Sequence, residues 1–250
     1  MKYVFLIAVG TLGLYLLLQP QEKPRAPLST ELPVSISELG RKKLGEIRAR
    51  VRTVPEDRDA LIDKTGAVFK EMHELRTYAF REEVRARLMD DLLQDSKSIP
   101  LAKRILIDHD FALNAYKGDQ AVARVYAIAL LEHHAKTAGA FELLDTAQKL
   151  AIALSETGDV SRGRAQDLDD LVYAYAKMED AAILSANLPN LAQHFELNEH
   201  TRGPIRNGLF YALKGQLGEG ETRERINSAF AGSVQDEVEA ARICVDCSDR

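Results

Sequence analysis

Three stretches of the chain carry one pattern: EVRARLMDDLL at 83–93, DQAVARVYAIALL at 119–131 and PIRNGLFYAL at 204–213. Aligned on arginine, they belong to a series Arg85, Arg124, Arg164 and Arg206, spaced by 39, 40 and 42 residues. Four residues after each arginine stands an apolar residue, Met89, Ile128, Leu168 and Phe210, and seven after each stands a leucine, Leu92, Leu131, Leu171 and Leu213. Positions 0, +4 and +7 share one side of an α-helix. The period therefore predicts a helix that recurs about every 40 residues, which suits stacked helix pairs better than a long four-helix bundle.

Working outward from these stretches, apolar residues recur at helical spacing from Ser35 onward, and alternating runs of β-branched residues are absent. Breakers fall at Ser96, Lys117-Gly118-Asp119, Ala138-Gly139, Thr157-Gly158-Asp159, Asn187-Leu188-Pro189 and Leu217-Gly218-Glu219-Gly220. They divide the chain into helices expected at 36–52, 56–78, 79–94, 99–115, 119–136, 140–156, 161–178, 180–186, 189–198, 203–216, 220–231 and 234–243. The 250 residues are 46% apolar and 28% charged, which is the balance of a packed domain and not of a disordered chain. A net charge of −5 argues against general nucleic-acid binding, and two cysteines without tryptophan exclude a disulfide-framed module.

With its period and its Val84-Arg85 and Ile205-Arg206 pairs followed by small and large apolar residues, the segment 60–231 resembles the HEAT/armadillo class of helical repeats. Ala123-Arg124 and Gly163-Arg164 depart from the family's Val-Arg pair, and Asp167, Asp169 and Asp170 stand where the third unit should be apolar. The resemblance implies an all-α fold, an α-solenoid of roughly four helix pairs over 55–243, with protein partners as its ligands.

Residues 1–19 hold an uncharged run, Tyr3 to Leu18, about 25 Å long as a helix and slightly short of a ~30 Å hydrocarbon core. No small-residue cleavage site follows, because the run ends Leu-Leu-Leu-Gln-Pro-Gln. The expectation is an uncleaved, single-pass transmembrane anchor in the inner membrane with residues 3–18 in the bilayer and the helical domain exported to the periplasm. The alternative is a cleaved signal that leaves a secreted or periplasmic protein. Residues 20–35 carry Pro20, Pro24, Pro27 and Pro33 and read as a semi-extended linker. The segment 36–54, with Arg41, Lys42, Lys43, Arg48, Arg50 and Arg52, is too basic for a core. It reads as a solvated cap or stalk helix, with contact to anionic lipid headgroups as the other reading.

No GxSxG, P-loop or HExxH occurs. His73, the His109-Asp110 pair and a later acid (Asp167 or Asp170) resemble the metal-dependent HD phosphohydrolases, in which a spaced histidine, a His-Asp pair and a distant aspartate hold the metal. That set is the enzymatic alternative; the leading expectation is a binding scaffold without catalysis, cofactor or metal. Arg85, Arg124, Arg164, Tyr175, Arg206 and Tyr211 are the candidate partner-binding residues, since arginine and aromatic side chains dominate protein interfaces. Of Tyr173, Tyr175, Phe210 and Tyr211, the second and fourth are expected to be exposed. Cys244 and Cys247, spaced for one helical turn in the tail 244–250, are a disulfide candidate, with free thiols, an intermolecular bridge and metal exchange as the other readings.

Overall fold

The computed structural model describes residues 38–51, 60–158, 162–195 and 197–230. The leader 1–19, the linker 20–35, the helix expected at 234–243 and the cysteine pair at 244 and 247 lie outside the described residues. Among those described there is no strand. The helices are α1 (Glu38–Val51), α2 (Ala60–Glu74), α3 (Arg81–Leu93), α4 (Ser98–Ile107), α5 (His109–Ala115), α6 (Gln120–Ala138), α7 (Phe141–Thr157), α8 (Arg162–Met178), α9 (Ala181–His194), α10 (Arg202–Leu217) and α11 (Glu219–Ala229), with a 3-10 turn at Leu75–Thr77. None is long and apolar enough to cross a membrane.

Most breakers act as expected. The chain leaves α6 through Gly139 with φ +86 and α7 through Gly158 with φ +62. Only glycine takes that backbone conformation without strain, so the two helices end where a side chain would be penalised.

Two expected boundaries are corrected. The helix expected at 99–115 is two helices, because Asp108 leaves the helical conformation and its carboxylate accepts the Phe111 N–H at 2.9 Å, capping α5. Conversely, α9 runs through Pro189 as one helix. Proline there removes the N–H that would serve the Ser185 carbonyl. Leu184, Leu188 and Leu191, all buried on α9, hold the helix together across that defect. The same helix stops at His194 because Asn198 folds the next turn on itself, its Oδ1 accepting the His200 N–H at 2.8 Å and the Thr201 N–H at 3.1 Å.

The four helices that carry the arginine series form a row: α3 packs on α6, α6 on α8, and α8 on α10. Beside them, α1 packs on α3, α4 on α6, α7 on α8, and α9 and α11 on α10. All eight apolar residues of the pattern, Met89 to Phe210 and Leu92 to Leu213, are buried. Burying a leucine contributes about 2 kcal/mol, so the repeated positions hold much of the core.

The period also appears in the polar contacts. Arg48 donates to Asp91 and His133 meets Asp90, each across 43 residues. Lys103 reaches Asp145 across 42, Asn198 reaches Ser155 across 43, and Arg225 reaches Ser185 across 40. These contacts tie α1 and α6 to α3, α4 and the turn after α9 to α7, and α11 to α9.

The tightest approach is between α8 and α10. A Cβ on Gly208 would stand 2.6 Å from the Asp169 carbonyl oxygen, 2.8 Å from the Tyr173 nitrogen and 2.9 Å from Val172 Cβ. Two of these atoms are backbone and cannot swing aside. Gly208→Ala is expected to cost about 1–3 kcal/mol by forcing the helices apart, lowering Tm by several degrees. Gly215→Ala in the same helix meets nothing within 4 Å and is expected to hold or raise Tm. Thermal unfolding of the two variants of the full chain checks this; equal Tm values would contradict the close contact.

Candidate functional site

Of the four arginines named as partner-binding candidates, the structure places three inside the helix packing. Arg124, Arg164 and Arg206 are buried, and each meets a group on a neighbouring helix. Arg124 Nε lies 2.6 Å from Asp167 Oδ2, joining α6 to α8. Arg164, only 2% exposed, donates to the Leu106 carbonyl at 2.7 Å and the Ile107 carbonyl at 3.1 Å. It places a cation at the C-terminus of α4, where the helix dipole favours one. Arg206 Nη2 donates to Asn227 Oδ1, joining α10 to α11. Arg85 is half-buried, its guanidinium 5.2 Å above the Tyr126 ring of α6 and Nη1 3.4 Å from Glu82. A guanidinium taken from water needs such partners. The series therefore marks contacts between helices.

The acidic third unit has the same explanation. Asp167 takes Arg124, and Asp169 accepts a hydrogen bond from Asn207 Nδ2 at 3.0 Å. Asp170 accepts from Gln166 at 2.8 Å on its own helix. Burial pushes the Asp167 carboxyl up to about 6, against the opposing pull of Arg124 and Arg164.

What the row leaves exposed is a strip along α6, α8 and α10. On α6 it shows Val125, 55% exposed, and half-buried Glu132. On α8 it shows Asp170, Tyr173 and Lys177, with Tyr173 38% exposed. Lys177 Nζ bridges two helices, 3.6 Å from Glu132 Oε1 and 5.9 Å from the Tyr173 ring centre. On α10, Lys214 Nζ sits 4.1 Å over the Tyr211 ring.

Tyr175 is half-buried, and burial raises its phenol above the ordinary range. The exposed tyrosine of α8 is Tyr173, so the expected assignment is reversed on that helix. The signal was present: Tyr175 is +11 from Arg164 and continues the buried 0, +4, +7 side, whereas Tyr173 at +9 falls off it. On α10 the expected order holds, with Phe210 at +4 buried and Tyr211 at +5 half-exposed.

The enzymatic alternative finds no support in the arrangement. Among the described residues, no three of His, Cys, Asp or Glu come together to hold a metal. His73 Nε2 lies 2.6 Å from Arg76 Nη1, and its ring stands edge-on to Tyr126 at 6.2 Å. His109 and Asp110 open α5, and Asp167 is committed to Arg124. Two hollows stand out on the described surface: one of about 250 Å³ over Gly66, Phe69 and Val122, and an open groove between α9 and α11 lined by Leu188 and Pro189. Neither carries a convergent set of catalytic groups.

The buried pair makes stability depend on pH in a defined direction. Between 3.8, its ordinary value, and about 6, the folded chain holds a proton on Asp167 that the unfolded chain has released. The contribution of this group therefore falls as pH rises through that window and levels above it. Urea unfolding of the full chain is expected to show wild type losing on the order of 2 kcal/mol relative to Asp167→Asn between about pH 4 and about pH 7. A relative gain over the same range would mean that the arginines hold the carboxylate ionised.

No protein-family model, no curated protein and no solved structure matches this chain.

Proposed function

We propose that the chain is a membrane-tethered, exported helical-repeat scaffold, an α-solenoid of HEAT-like pairs, that binds a protein partner and performs no catalysis. The observation that carries this reading is the recurrence of side-chain contacts at 40 to 43 residues along the chain, from the α1–α3 pair to the α9–α11 pair. Units that repeat in contact as well as in sequence build an extended surface by adding neighbours, and such surfaces serve binding. The titratable groups support the same reading, because Arg124, Arg164 and Asp167 are used to join helices. The apolar run 3–18 and the Pro-rich linker after it supply the tether in this reading, with periplasmic exposure of the domain.

The partner would meet the strip of α6, α8 and α10. Val125 and Tyr173 offer apolar contact there, and Lys177 and Lys214 flank it with cations already placed against aromatic rings. Tyrosine beside a fixed cation is the composition of an interface anchor.

The test is a pull-down of the tagged full-length chain from its native membranes, with co-purifying proteins identified by mass spectrometry. A partner enriched over a control of residues 1–35 alone, and lost at least tenfold from Tyr173→Ala/Lys177→Glu with Tm unchanged, is the expected result. No protein enriched over that control would overturn the scaffold reading. A partner retained by the double variant would move the interface off this strip.

A further inference from the structure

The partner-binding strip leaves α1 unexplained. This helix buries Leu44 and Ile47 and packs on α2 and α3. Arg48 is held by Asp91 through two hydrogen bonds, 2.6 and 2.7 Å. Arg41, Lys42 and Lys43 differ: among the described residues, none of these three cations meets a carboxylate at ion-pair distance. Arg41 and Lys42 are exposed, Lys43 is half-exposed, and Leu39 beside them is 62% exposed. Glu38 and Glu46 share that side of the helix and temper its charge. The segment Glu38–Val51 still carries a formal +3 in a chain whose net charge is −5.

We propose that the exposed side of α1 docks on the headgroups of an anionic bilayer. Three adjacent cations on flexible stems suit a diffuse anionic surface, and each Lys or Arg close to such a surface gains about 1 kcal/mol. A shaped protein partner would call for aromatic anchors, and α1 has none. Leu39 can enter the boundary between headgroups and acyl chains, as the apolar side chains of interfacial helices do. The inference rests on the tethered reading for its location: the Pro-rich sequence between the apolar run and α1 could separate them by at most about 60 Å at ~3.1 Å per residue, a leash that lets α1 return to the bilayer. A weak surface contact is then strengthened by high local concentration. The domain would rest against the membrane through α1 and leave the α6–α8–α10 strip to its partner.

The test uses the full-length chain with Cys244→Ser and Cys247→Ser. A dye is placed at Ala49→Cys on the exposed side of α1 or, as a control, at Glu224→Cys on α11. Bromolipid quenching is read in vesicles of phosphatidylcholine alone and of phosphatidylcholine with about one-third phosphatidylglycerol, a strongly anionic surface. The docked-to-undocked ratio at position 49 is expected to be about tenfold higher on the anionic vesicles, the two glutamates offsetting part of the gain from three cations. It should fall to the neutral value in Arg41→Gln/Lys42→Gln/Lys43→Gln and on raising salt to about 0.5 M, while position 224 stays unchanged.

Equal quenching at position 49 on both vesicles would overturn the proposal, and so would an unchanged triple variant. The same insensitivity is expected if α1 meets an acidic protein instead. The tether is read separately, by co-flotation with neutral vesicles that survives carbonate washing. If that fails, the tethered reading fails, and the charge-dependent quenching still decides whether α1 binds anionic lipid.

Discussion

Asp167 meets Arg124 at 2.6 Å across the contact of α6 with α8, in a place from which water is largely excluded. Arg164, three residues before Asp167 on the same helix, reaches past it to the last carbonyls of α4. Together the three side chains tie α4, α6 and α8 around one buried charge centre. The desolvation of such groups is costly, and it is offset only when every partner is in register. A shift of α8 along α6 by one turn would part the carboxylate from its arginine and leave both buried. The register of the row is therefore tightly specified at its middle, and the apolar pattern on either side inherits that register.

The rest of the packing follows from the same constraint. Apolar side chains at +4 and +7 are interchangeable in kind, since leucine against leucine is satisfied by many alignments. Polar pairs one period apart are not interchangeable. Lys103 joins Asp145 and Glu142, Asn198 joins Ser155, and His133 joins Asp90, each selecting one alignment of its helices. Burial opposes the charge on Lys103, yet the two carboxylates beside it hold its ammonium above the usual range. At the α8–α10 contact a different device does the same work: Gly208 lets the backbones approach so closely that only one alignment fits.

These constraints divide the surface by use. Charged residues on the row's inner sides are committed to neighbouring helices, while Val125, Tyr173, Lys177, Tyr211 and Lys214 remain on the outside. At the start of the described chain, α1 keeps three cations that the packing does not use. The surface thus keeps two patches of different chemistry, one aromatic and basic, one basic with an exposed leucine.

Much of this was legible before any coordinates. A 39–42 residue spacing with apolar residues at +4 and +7 specifies helices and their buried sides, because helix periodicity is local and every turn repeats the information. Glycine turns were equally legible, since the conformation they permit is a property of one residue. The split at Asp108 was missed because a capping aspartate resembles any surface aspartate until its N–H partner is placed. The continuity of α9 through Pro189 was missed because the apolar packing that outweighs a lost hydrogen bond lies on other helices. The placement of the arginines was the least legible: a guanidinium is equally at home on a wet face and in a buried pair. Only the positions of Asp167, Asn227 and the carbonyls of α4, brought together from 21 to 58 residues away, decide which of these it is. Periodicity and turns are written in neighbouring residues, whereas the partner of a buried charge is chosen by distant parts of the chain meeting in space.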